Sequence, residues 1–288
     1  MISLDGSYLE GGGQILRTAV GMSALTGKAC RIYNIRANRS NPGLRPQHLK
    51  GIEAVADVCE GKIQGGKVGS SEVTFIPGEI TAQNLEIDIQ TAGSITLLAQ
   101  ALFLPTMIMR DKVTYTIQGG THVAWSPPFE FFKHVFCHYL NRLGIHVNVA
   151  IDRYGFYPKG GGQVKIDIRL PDKLSPLQLV STSDNFETEA WSVATLDLQK
   201  REVAKRQLDA ASDLLNIKTQ NIRYADSYST GSSIVLCTQS GINRWGSSAL
   251  GVKGISAEKV GTSAAREMLD NRGLCKTRDF GQSRMLSG

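Results

Sequence analysis

The hydrophobic positions of the chain follow two different periods. Short segments in which apolar and polar residues alternate, such as "VTYTI" at 113–117, are typical of strands. Longer segments with a helical period, such as the run from Gln14 to Leu25, are typical of helices with one buried face. Because the two kinds of segment take turns along the chain, the sequence predicts a mixed α and β protein.

The predicted elements occur twice in the same order. Residues 2–80 read as a β-α-β-α-β unit, and residues 84–170 repeat that order at an offset of roughly 80 residues. The segment "YPKGGGQVKIDI" at 157–168 predicts the start of a third copy, because "GGGQ" occurs again before an alternating strand. From about Leu179 the pattern changes to a small β-α-β-β module.

We therefore predict an α+β fold of repeated β-α-β-α-β units with a small inserted β-α-β-β domain. The large domain is assigned to 1–178, with repeats one and two and the start of repeat three, and the inserted domain to 179–254. Residues 255–288 are assigned to a resumed, incomplete third repeat and an irregular tail. The tail, 272–288, shows neither helical nor strand periodicity.

Composition restricts the class of protein further. The chain has 288 residues, of which 41% are hydrophobic and 20% charged, as in globular proteins. The longest apolar run, 95–109, contains Gln100 and Pro105 and is too short to span a bilayer. Five scattered cysteines without CxxC spacing fit a reducing compartment. We expect a cytoplasmic protein with no membrane association and no structural zinc.

The charge is distributed unevenly. From Gly11 to Ile52 the chain contains no Asp or Glu, although it carries seven Lys and Arg residues there. A segment of one sign predicts a polyanionic partner, such as a nucleotide or a nucleic acid. The alternative is a basic face that only contacts solvent.

A glycine loop opens the first helix. Backbone N–H groups of Gly11, Gly12 and Gly13 can converge on an anion, and the helix dipole adds partial positive charge. Arg17 lies one turn into the helix, and Glu10 could hold a divalent cation beside a phosphate. The alternative is a tight strand-to-helix turn with a surface acid.

A second cluster lies in the segment 35–49. Arg36, Arg39 and Arg45 place three guanidinium groups within a short loop, which suits bidentate phosphate binding. Gln47 and His48 open the following helix, where His48 could instead be a capping side chain.

Three other polar positions fall inside predicted helices. Gln100 lies within an apolar helix, where its amide either bonds to neighbouring backbone or projects toward a ligand. His134 and His138 have a spacing that metal sites use, but they lie opposite the apolar stripe of their helix and are predicted to face solvent.

Several long motifs, in order, resemble the RNA 3'-terminal phosphate cyclases. These motifs are "LDGSYLEGGGQILRTAVGMSALTGK", "IRANRSNPGLRPQHL", "FIPGEI", "TAGSITLLAQALFLP" and "GFYPKGGG". The resemblance covers approximately 2–270. It implies a large domain of three β-α-β-α-β repeats, related to the enolpyruvyl transferase fold, with a small domain inserted in the third repeat.

The resemblance also implies an activity of the ligase class that depends on ATP and on Mg²⁺ or Mn²⁺. In that family a histidine takes AMP from ATP and passes it to an RNA 3'-phosphate. The neighbouring 2'-hydroxyl then closes a 2',3'-cyclic phosphate and releases AMP. Carried over, Glu10 helps to hold the metal with Gln14 beside it, and Gln100 contacts ATP. The residues implied to line the phosphate and RNA-end site are Arg17, Arg36, Arg39, Arg45, Gln47 and His48.

The chain departs from the family pattern in two places. The family's adenylylated histidine lies in the last part of the third repeat, whereas the last histidine here is His146 and the similarity ends near Asn271. We expect a shortened chain that binds RNA ends or nucleotide but forms no histidine adenylate. The second departure is His122, where the family pattern implies an aspartate.

Two other functions are kept as alternatives. One is a non-catalytic, cyclase-like RNA-binding protein that assists ribosomal RNA processing, and the other, argued from fold alone, is an enolpyruvyl transferase. The expected partners are RNA 3' ends and ATP. The oligomeric state is left open, with a homodimer as one candidate.

Overall fold

The computed structural model describes residues 1–9, 11–81, 83–109, 111–179 and 185–276, without the side chains of 272–276. Over these residues the chain forms three four-stranded mixed sheets and seven α-helices. The predicted α+β class is therefore confirmed.

The first sheet contains both parallel and antiparallel pairs. Its unit consists of β1 (Ile2–Asp5), α1 (Gly13–Thr26), β2 (Cys30–Tyr33), α2 (Pro46–Val58), β3 (Lys62–Gln64) and β4 (Val73–Ile76). The strand order is β1-β2-β4-β3, in which β1 and β2 are parallel and the other pairs are antiparallel. Since β1 and β2 are parallel, the loops that follow them lie at one edge of the sheet.

The second sheet repeats this plan. Its unit consists of β5 (Asn84–Asp88), α3 (Ile95–Thr106), β6 (Val113–Gly119), α4 (Phe129–Phe131), α5 (Cys137–Arg142), β7 (His146–Arg153) and β8 (Gly162–Arg169). The order β5-β6-β8-β7 and the pairing directions match those of the first sheet. The predicted internal repeat is confirmed, although each unit closes with two strands rather than one.

Strand β8 corrects the prediction of a third copy that starts at 157–168. The strand pairs with both β6 and β7, so it completes the second sheet. Its apolar side chains Val164, Ile166 and Ile168 are buried in the core of the first two units. The glycine run at the start of β8, 160–162, therefore belongs to unit two and does not open a new unit.

One continuous core joins the first two units. The helices α1, α2 and α3 share it with both sheets, through buried residues such as Val20, Val55 and Leu102. Gly21 permits close approach of α1 and α3, because a Cβ there would lie 2.8 Å from Cδ1 of Leu104. This packing brings the second unit's first helix next to the loops of the first unit.

The third sheet forms a module with two covering helices. It consists of β9 (Glu187–Thr195), α6 (Val203–Ser212), β10 (Ile217–Ala225), β11 (Ser232–Ser240), β12 (Asn243–Leu250) and α7 (Ala257–Lys276). The order is β10-β9-β11-β12. The predicted β-α-β-β pattern is confirmed, and β12 is an additional strand that pairs with β11.

Helix α7 packs on this third module. Its buried residues Val260, Ala264 and Met268 share a core with Leu208 of α6 and Leu236 of β11. The prediction had instead placed 255–288 in a resumed third repeat, because sequence periodicity does not show which sheet a helix covers. The helix also continues to Lys276, into the segment predicted to be an irregular tail, of which 277–288 lie outside the described residues. The division of the chain into folding domains stays a prediction.

The helical residues 129–142 lie between the second and third sheets. They include a π-helical segment, Phe132–Phe136. The prediction that His134 and His138 face solvent is wrong, because the third sheet covers that side. His134 stacks on Trp191 with a ring separation of 4.0 Å, and Nε2 of His138 lies 3.1 Å from the carbonyl oxygen of Ile242.

Within the described part of the chain, no helix has the length and apolar character that crossing a bilayer requires.

Candidate functional site

Two loops at the edge of the first sheet form the candidate site. The loop after β1 leads into α1, and the loop after β2 leads into α2. The N–H of Gly6 donates to the carbonyl oxygen of Tyr33 at 2.7 Å, and Nδ2 of Asn38 donates to the carbonyl oxygen of Ser7 at 3.2 Å. These bonds hold the two loops together, so that the first turns of α1 and α2 lie side by side.

The glycine loop meets the arginine cluster at close range. A Cβ on Gly13 would overlap Nε2 of His48 and would lie 3.2 Å from Nη1 of Arg17. A Cβ on Gly12 would lie 3.6 Å from Nη2 of Arg39. The structure therefore brings the glycines and these three side chains, all predicted site residues, into one cleft, and a side chain at Gly13 would clash with His48.

The start of α1 is suited to an anion. Gly12 caps the helix without a side-chain hydrogen bond from the described residues, and the first turn contains no acidic residue. The first N–H groups of a helix lack partners within the helix and carry the positive end of its dipole. A phosphate at this position would accept hydrogen bonds from them.

His48 is a buried, neutral imidazole. The residue is 6% exposed, and its Nδ1 accepts a hydrogen bond of 3.3 Å from the N–H of Arg45. Burial, together with the charges of Arg36, Arg17 and Arg45, lowers the pKa of His48 to about 4. Since Nδ1 accepts, the proton of the neutral ring lies on Nε2, which faces Gly13 and Arg17.

Arg36 has unused hydrogen-bonding capacity. Its Nη2 donates to the carbonyl oxygen of Asn41 at 3.2 Å, while its buried Nε has no hydrogen-bond partner among the residues that the structure describes. Burial and the charges of Arg39 and Arg45 lower its pKa, but a guanidinium keeps its proton at neutral pH. A buried, unpaired guanidinium N–H is costly unless an anion binds it.

Backbone strain concentrates around the same cleft. Leu9, Asn34 and Arg36 have φ values of 53°, 53° and 55°, and Gly11 has a φ of 57°. Non-glycine residues in this left-handed region each cost about 1–3 kcal/mol and persist where the surrounding structure requires them. The strained residues lie in the two loops that carry the glycines and arginines.

The remaining predicted residues border the cleft. Gln47 lies in the first turn of α2, where its Cβ is 2.9 Å from the position of a Cβ on Gly93. Gln14 is exposed in the first turn of α1. Gln100 is half-buried on α3 and precedes Ala101, which contributes to the apolar wall of the cleft between α1 and α2.

The predicted metal ligand, Glu10, lies outside the described residues. In the described part of the chain, no three His, Cys, Asp or Glu side chains come together as a metal site. Binding of a divalent cation therefore remains a prediction.

Sequence reasoning missed a buried polar network in the second unit. Nε2 of His122 lies 2.6 Å from Oε2 of Glu130, and Nδ1 lies 2.8 Å from Oγ1 of Thr121. The hydroxyl of Tyr154 donates to Oε1 of Glu130 at 3.1 Å. Although burial alone would raise the pKa of Glu130, His122 holds it below its usual value. The network fixes the loop after β6 and leaves His122 away from solvent.

The fold and the cleft define an α+β protein in which the starts of two helices and a set of arginines face one another. The family model described as RNA 3'-terminal phosphate cyclase matches residues 8–275. Proteins of that name from Methanopyrus kandleri and Pyrococcus furiosus are each 44% identical to this chain, over 280 and 274 residues. Each match covers 93% of this chain and 79% of the relative.

A third relative of that name, from Methanosarcina barkeri, is 41% identical over 272 residues, which are 93% of this chain and 80% of the relative. The chain belongs to the RNA 3'-terminal phosphate cyclase family.

Proposed function

We propose that the cleft between α1 and α2 binds the 3'-terminal phosphate of an RNA and that the chain takes part in its ATP-dependent conversion to a 2',3'-cyclic phosphate. The observation that carries the proposal is the contact of Gly13 with His48 and Arg17. Because Gly13 has no side chain, His48 and Arg17 approach the N–H groups at the start of α1, so that all of these donors can face one phosphate. The names of the relatives supply the RNA 3' end as the source of the phosphate.

Each group in the cleft has a distinct task in this proposal. The N–H groups at the start of α1 and the guanidinium groups of Arg17, Arg36 and Arg39 neutralise the charge of the phosphate. His48 donates from Nε2, since its Nδ1 is engaged by the N–H of Arg45. These contacts hold the phosphorus near the 2'-oxygen of the same ribose, so that the two react within one molecule.

The proposed reaction consumes one ATP and releases pyrophosphate and AMP. RNA 3'-phosphate attacks the α-phosphorus of ATP, which forms a P–O–P bond and releases pyrophosphate. The 2'-oxygen then forms a bond to the RNA phosphorus, the bond to AMP breaks, and the proton of the 2'-hydroxyl passes to solvent. ATP supplies the leaving group, and the residues of the cleft supply orientation and charge.

We do not assign a covalent step to the histidines of this chain. All five lie within the described residues, and His48 is the one that contacts the glycine loop. Its Nε2 carries the proton and acts as a donor, so it is not an available nucleophile in this state. Incubation with α-labelled ATP and Mg²⁺ or Mn²⁺ tests this point: covalent label on any histidine would contradict it.

The proposed site is tested with a 10-nucleotide RNA that ends in a 3'-phosphate and an otherwise identical RNA that ends in a 3'-hydroxyl. Fluorescence anisotropy is expected to show tighter binding of the phosphorylated RNA. His48→Ala and Arg17→Ala should each reduce that preference by roughly 10-fold or more, because each removes a hydrogen bond to a charged group. His146→Ala, on the exposed face of β7, is the matched control. Equal binding of the two RNAs by the wild type would refute the site.

A second candidate function is a non-catalytic RNA-end-binding protein. It is favoured by the donor state of His48 and by the partners that His122 and His138 engage. The two functions differ in one product. Release of AMP from ATP that depends on 3'-phosphorylated RNA supports the cyclase, and tight binding without AMP release supports the binding protein.

A further inference from the structure

Three large aromatic side chains lie exposed on loops near the proposed phosphate cleft. Trp125 is 80% exposed, Tyr157 is 75% exposed and Tyr228 is 54% exposed. Single exposed apolar residues are common on proteins, but a group of large rings on adjoining loops marks a binding surface. We call these three residues the aromatic surface.

The loops that carry the aromatic surface contact one another directly. A Cβ on Gly161 would overlap the ring of Tyr228, and the N–H of Lys159 donates to Oγ of Ser229 at 3.0 Å. A bridge between His122 and Phe156 joins the loop of Trp125 to the loop of Tyr157. The three rings therefore belong to one assembled loop cluster, contributed by the second unit and the third module.

This loop cluster continues to the phosphate cleft. A Cβ on Gly160 would lie 2.8 Å from Cα of Ala92, and the N–H of Gly120 donates to the carbonyl oxygen of Gly93 at 2.8 Å. Gly93 in turn adjoins Gln47 in the first turn of α2. Since Gln47 precedes His48 in the chain, the loop cluster lies next to the first turn of α2, which carries His48.

An arginine holds one of the rings, and a second ring lies on strained backbone. The guanidinium carbon of Arg153 lies 4.7 Å from the centre of the Tyr228 ring, and Nε of Arg153 donates to the carbonyl oxygen of Gly161 at 2.5 Å. Trp125 has a φ of 64°, a conformation that bulky residues rarely adopt. A strained residue with an exposed ring is typical of a position kept for binding rather than for stability.

The charge around the rings is mixed. Lys159 is an exposed cation, while Asp152 and Asp226 are exposed acids on neighbouring positions. Attraction of phosphates is therefore not the dominant feature of this surface, in contrast to the cleft. Exposed rings bind single-stranded nucleic acid by stacking on its bases, whatever their identity.

We propose that Trp125, Tyr157 and Tyr228 form a stacking surface for the bases that precede the 3'-terminal phosphate in a single-stranded RNA. This inference rests on the proposed function of the cleft. The cleft selects the end of the RNA, and the aromatic surface binds the strand that leads to it without reading its sequence.

The test compares the wild type with two triple variants. In W125A/Y157A/Y228A the rings are removed, and in W125F/Y157F/Y228F they are kept without their polar atoms. The probes are a nucleoside 3'-monophosphate and single-stranded RNAs of increasing length, up to 10 nucleotides, that end in a 3'-phosphate. The wild type is expected to bind more tightly as the RNA lengthens.

The alanine variant should lose this gain with length, by roughly 100-fold or more at 10 nucleotides, since each of the three stacked bases contributes about fivefold or more. The phenylalanine variant should keep it. Leu214→Ala, at an exposed position after α6, is the control. If the alanine variant binds the 10-nucleotide RNA as tightly as the wild type does, the proposal is overturned, and the aromatic surface would instead fit a protein partner.

The two proposals fail in different ways. If the wild type does not prefer a 3'-phosphate over a 3'-hydroxyl, the proposed function fails, and this inference fails with it. If that preference is present and removal of the rings has no effect on the long RNA, this inference alone fails.

Fluorescence provides a second readout that a change in folding would not mimic. Trp125 is highly exposed, whereas Trp191 and Trp245 are partly covered. Stacking on a base should quench the fluorescence of Trp125 when the 10-nucleotide RNA binds. The quench should be absent in Trp125→Phe, and a quench that persists in this variant would contradict the placement of the RNA on Trp125.

Discussion

At the scale of single residues, the cleft depends on an imidazole that stays neutral among cations. His48 is surrounded by Arg17, Arg36 and Arg45, and a proton added to its ring would place a fourth positive charge in a buried space. The neutral ring can donate one hydrogen bond to a phosphate, and the arginines can neutralise the charge of the same phosphate. Its low pKa keeps this state over the whole neutral range.

The low pKa of His48 predicts a loss of stability in weak acid. The folded-state pKa is about 4 and the ordinary value is 6.5, so the unfolded chain binds the proton first as the pH falls. Stability is therefore complete above about pH 6.5 and decreases toward pH 4. Between pH 7 and pH 5 the loss from this residue is about 2 kcal/mol.

Urea unfolding at pH 7 and pH 5 measures this loss. The decrease in the free energy of unfolding should be about 2 kcal/mol smaller in His48→Gln than in the wild type. His134, whose pKa burial also lowers to about 4, contributes equally to both proteins and does not affect the comparison. His146→Gln should behave as the wild type. An identical decrease in His48→Gln and the wild type would show that the imidazole is not buried as described.

At the scale of secondary-structure elements, the position of α7 depends on one glycine. A Cβ on Gly261 would overlap the carbonyl oxygen of Gln207 in α6. The contact cannot relax through a side chain, because the neighbour is backbone. The same glycine therefore sets the distance between the two helices that cover the third sheet.

Gly261→Ala is expected to destabilise the protein although alanine is the better helix former. The gain in helix propensity is about 1 kcal/mol, whereas forced separation of α6 and α7 costs about 1–3 kcal/mol and opens their shared core. Thermal unfolding should show a lower midpoint. Ser263→Ala, exposed on the same helix, should change the free energy of unfolding by less than about 0.5 kcal/mol. A higher midpoint for Gly261→Ala would contradict this packing.

The sequence predicted elements better than it predicted their neighbours. The long helices and the repeated order of elements were visible because periodicity is a local property. Strand β3 was missed because Lys62–Gln64 is too short to show a period. Strand β8 and helix α7 were assigned to the wrong unit, since their apolar faces specify burial but not the sheet that buries them. His134 was misplaced for the same reason.

The candidate site shows the same limit. Its glycines and arginines could be found from two short segments, because they follow consecutive parallel strands. Gly93 and Ala101 could not, since they come from the second unit and reach the cleft only through the packing of α3. Asn38, which ties the two loops together, carried no signal beyond that of an ordinary polar loop residue.

At the scale of the whole molecule, part of an acid-free segment converges at one edge of the first sheet. The segment from Gly11 to Ile52 has no acidic residue, and the cleft gathers Arg17, Arg36 and Arg39 from it. RNA that binds there releases counterions, so its affinity must fall as salt rises.

The salt dependence of RNA binding can show which basic side chains contact the RNA phosphates. For a single strand, the logarithm of the binding constant falls by about 0.7 per neutralised phosphate for each tenfold increase in salt. Arg36→Ala should reduce the slope for the 3'-phosphorylated RNA by about this amount. Lys28→Ala is the control, since Lys28 follows the far end of α1, roughly 21 Å from its start. An equal reduction by both variants would indicate a diffuse field rather than a site.

The shared strand order of the first two sheets has one further consequence. The N-cap residue of α1 is Gly12, which has no side chain to accept a hydrogen bond. The N-cap residue of α3, its counterpart, is Ser94, whose Oγ accepts a hydrogen bond from the N–H of Leu97 at 3.2 Å. The repeated units thus contain the same helix start in two forms. One has N–H groups without a capping side chain, and in the other a serine hydroxyl caps the helix. The two units therefore share a strand order but differ in which groups the N–H donors at this helix start can reach.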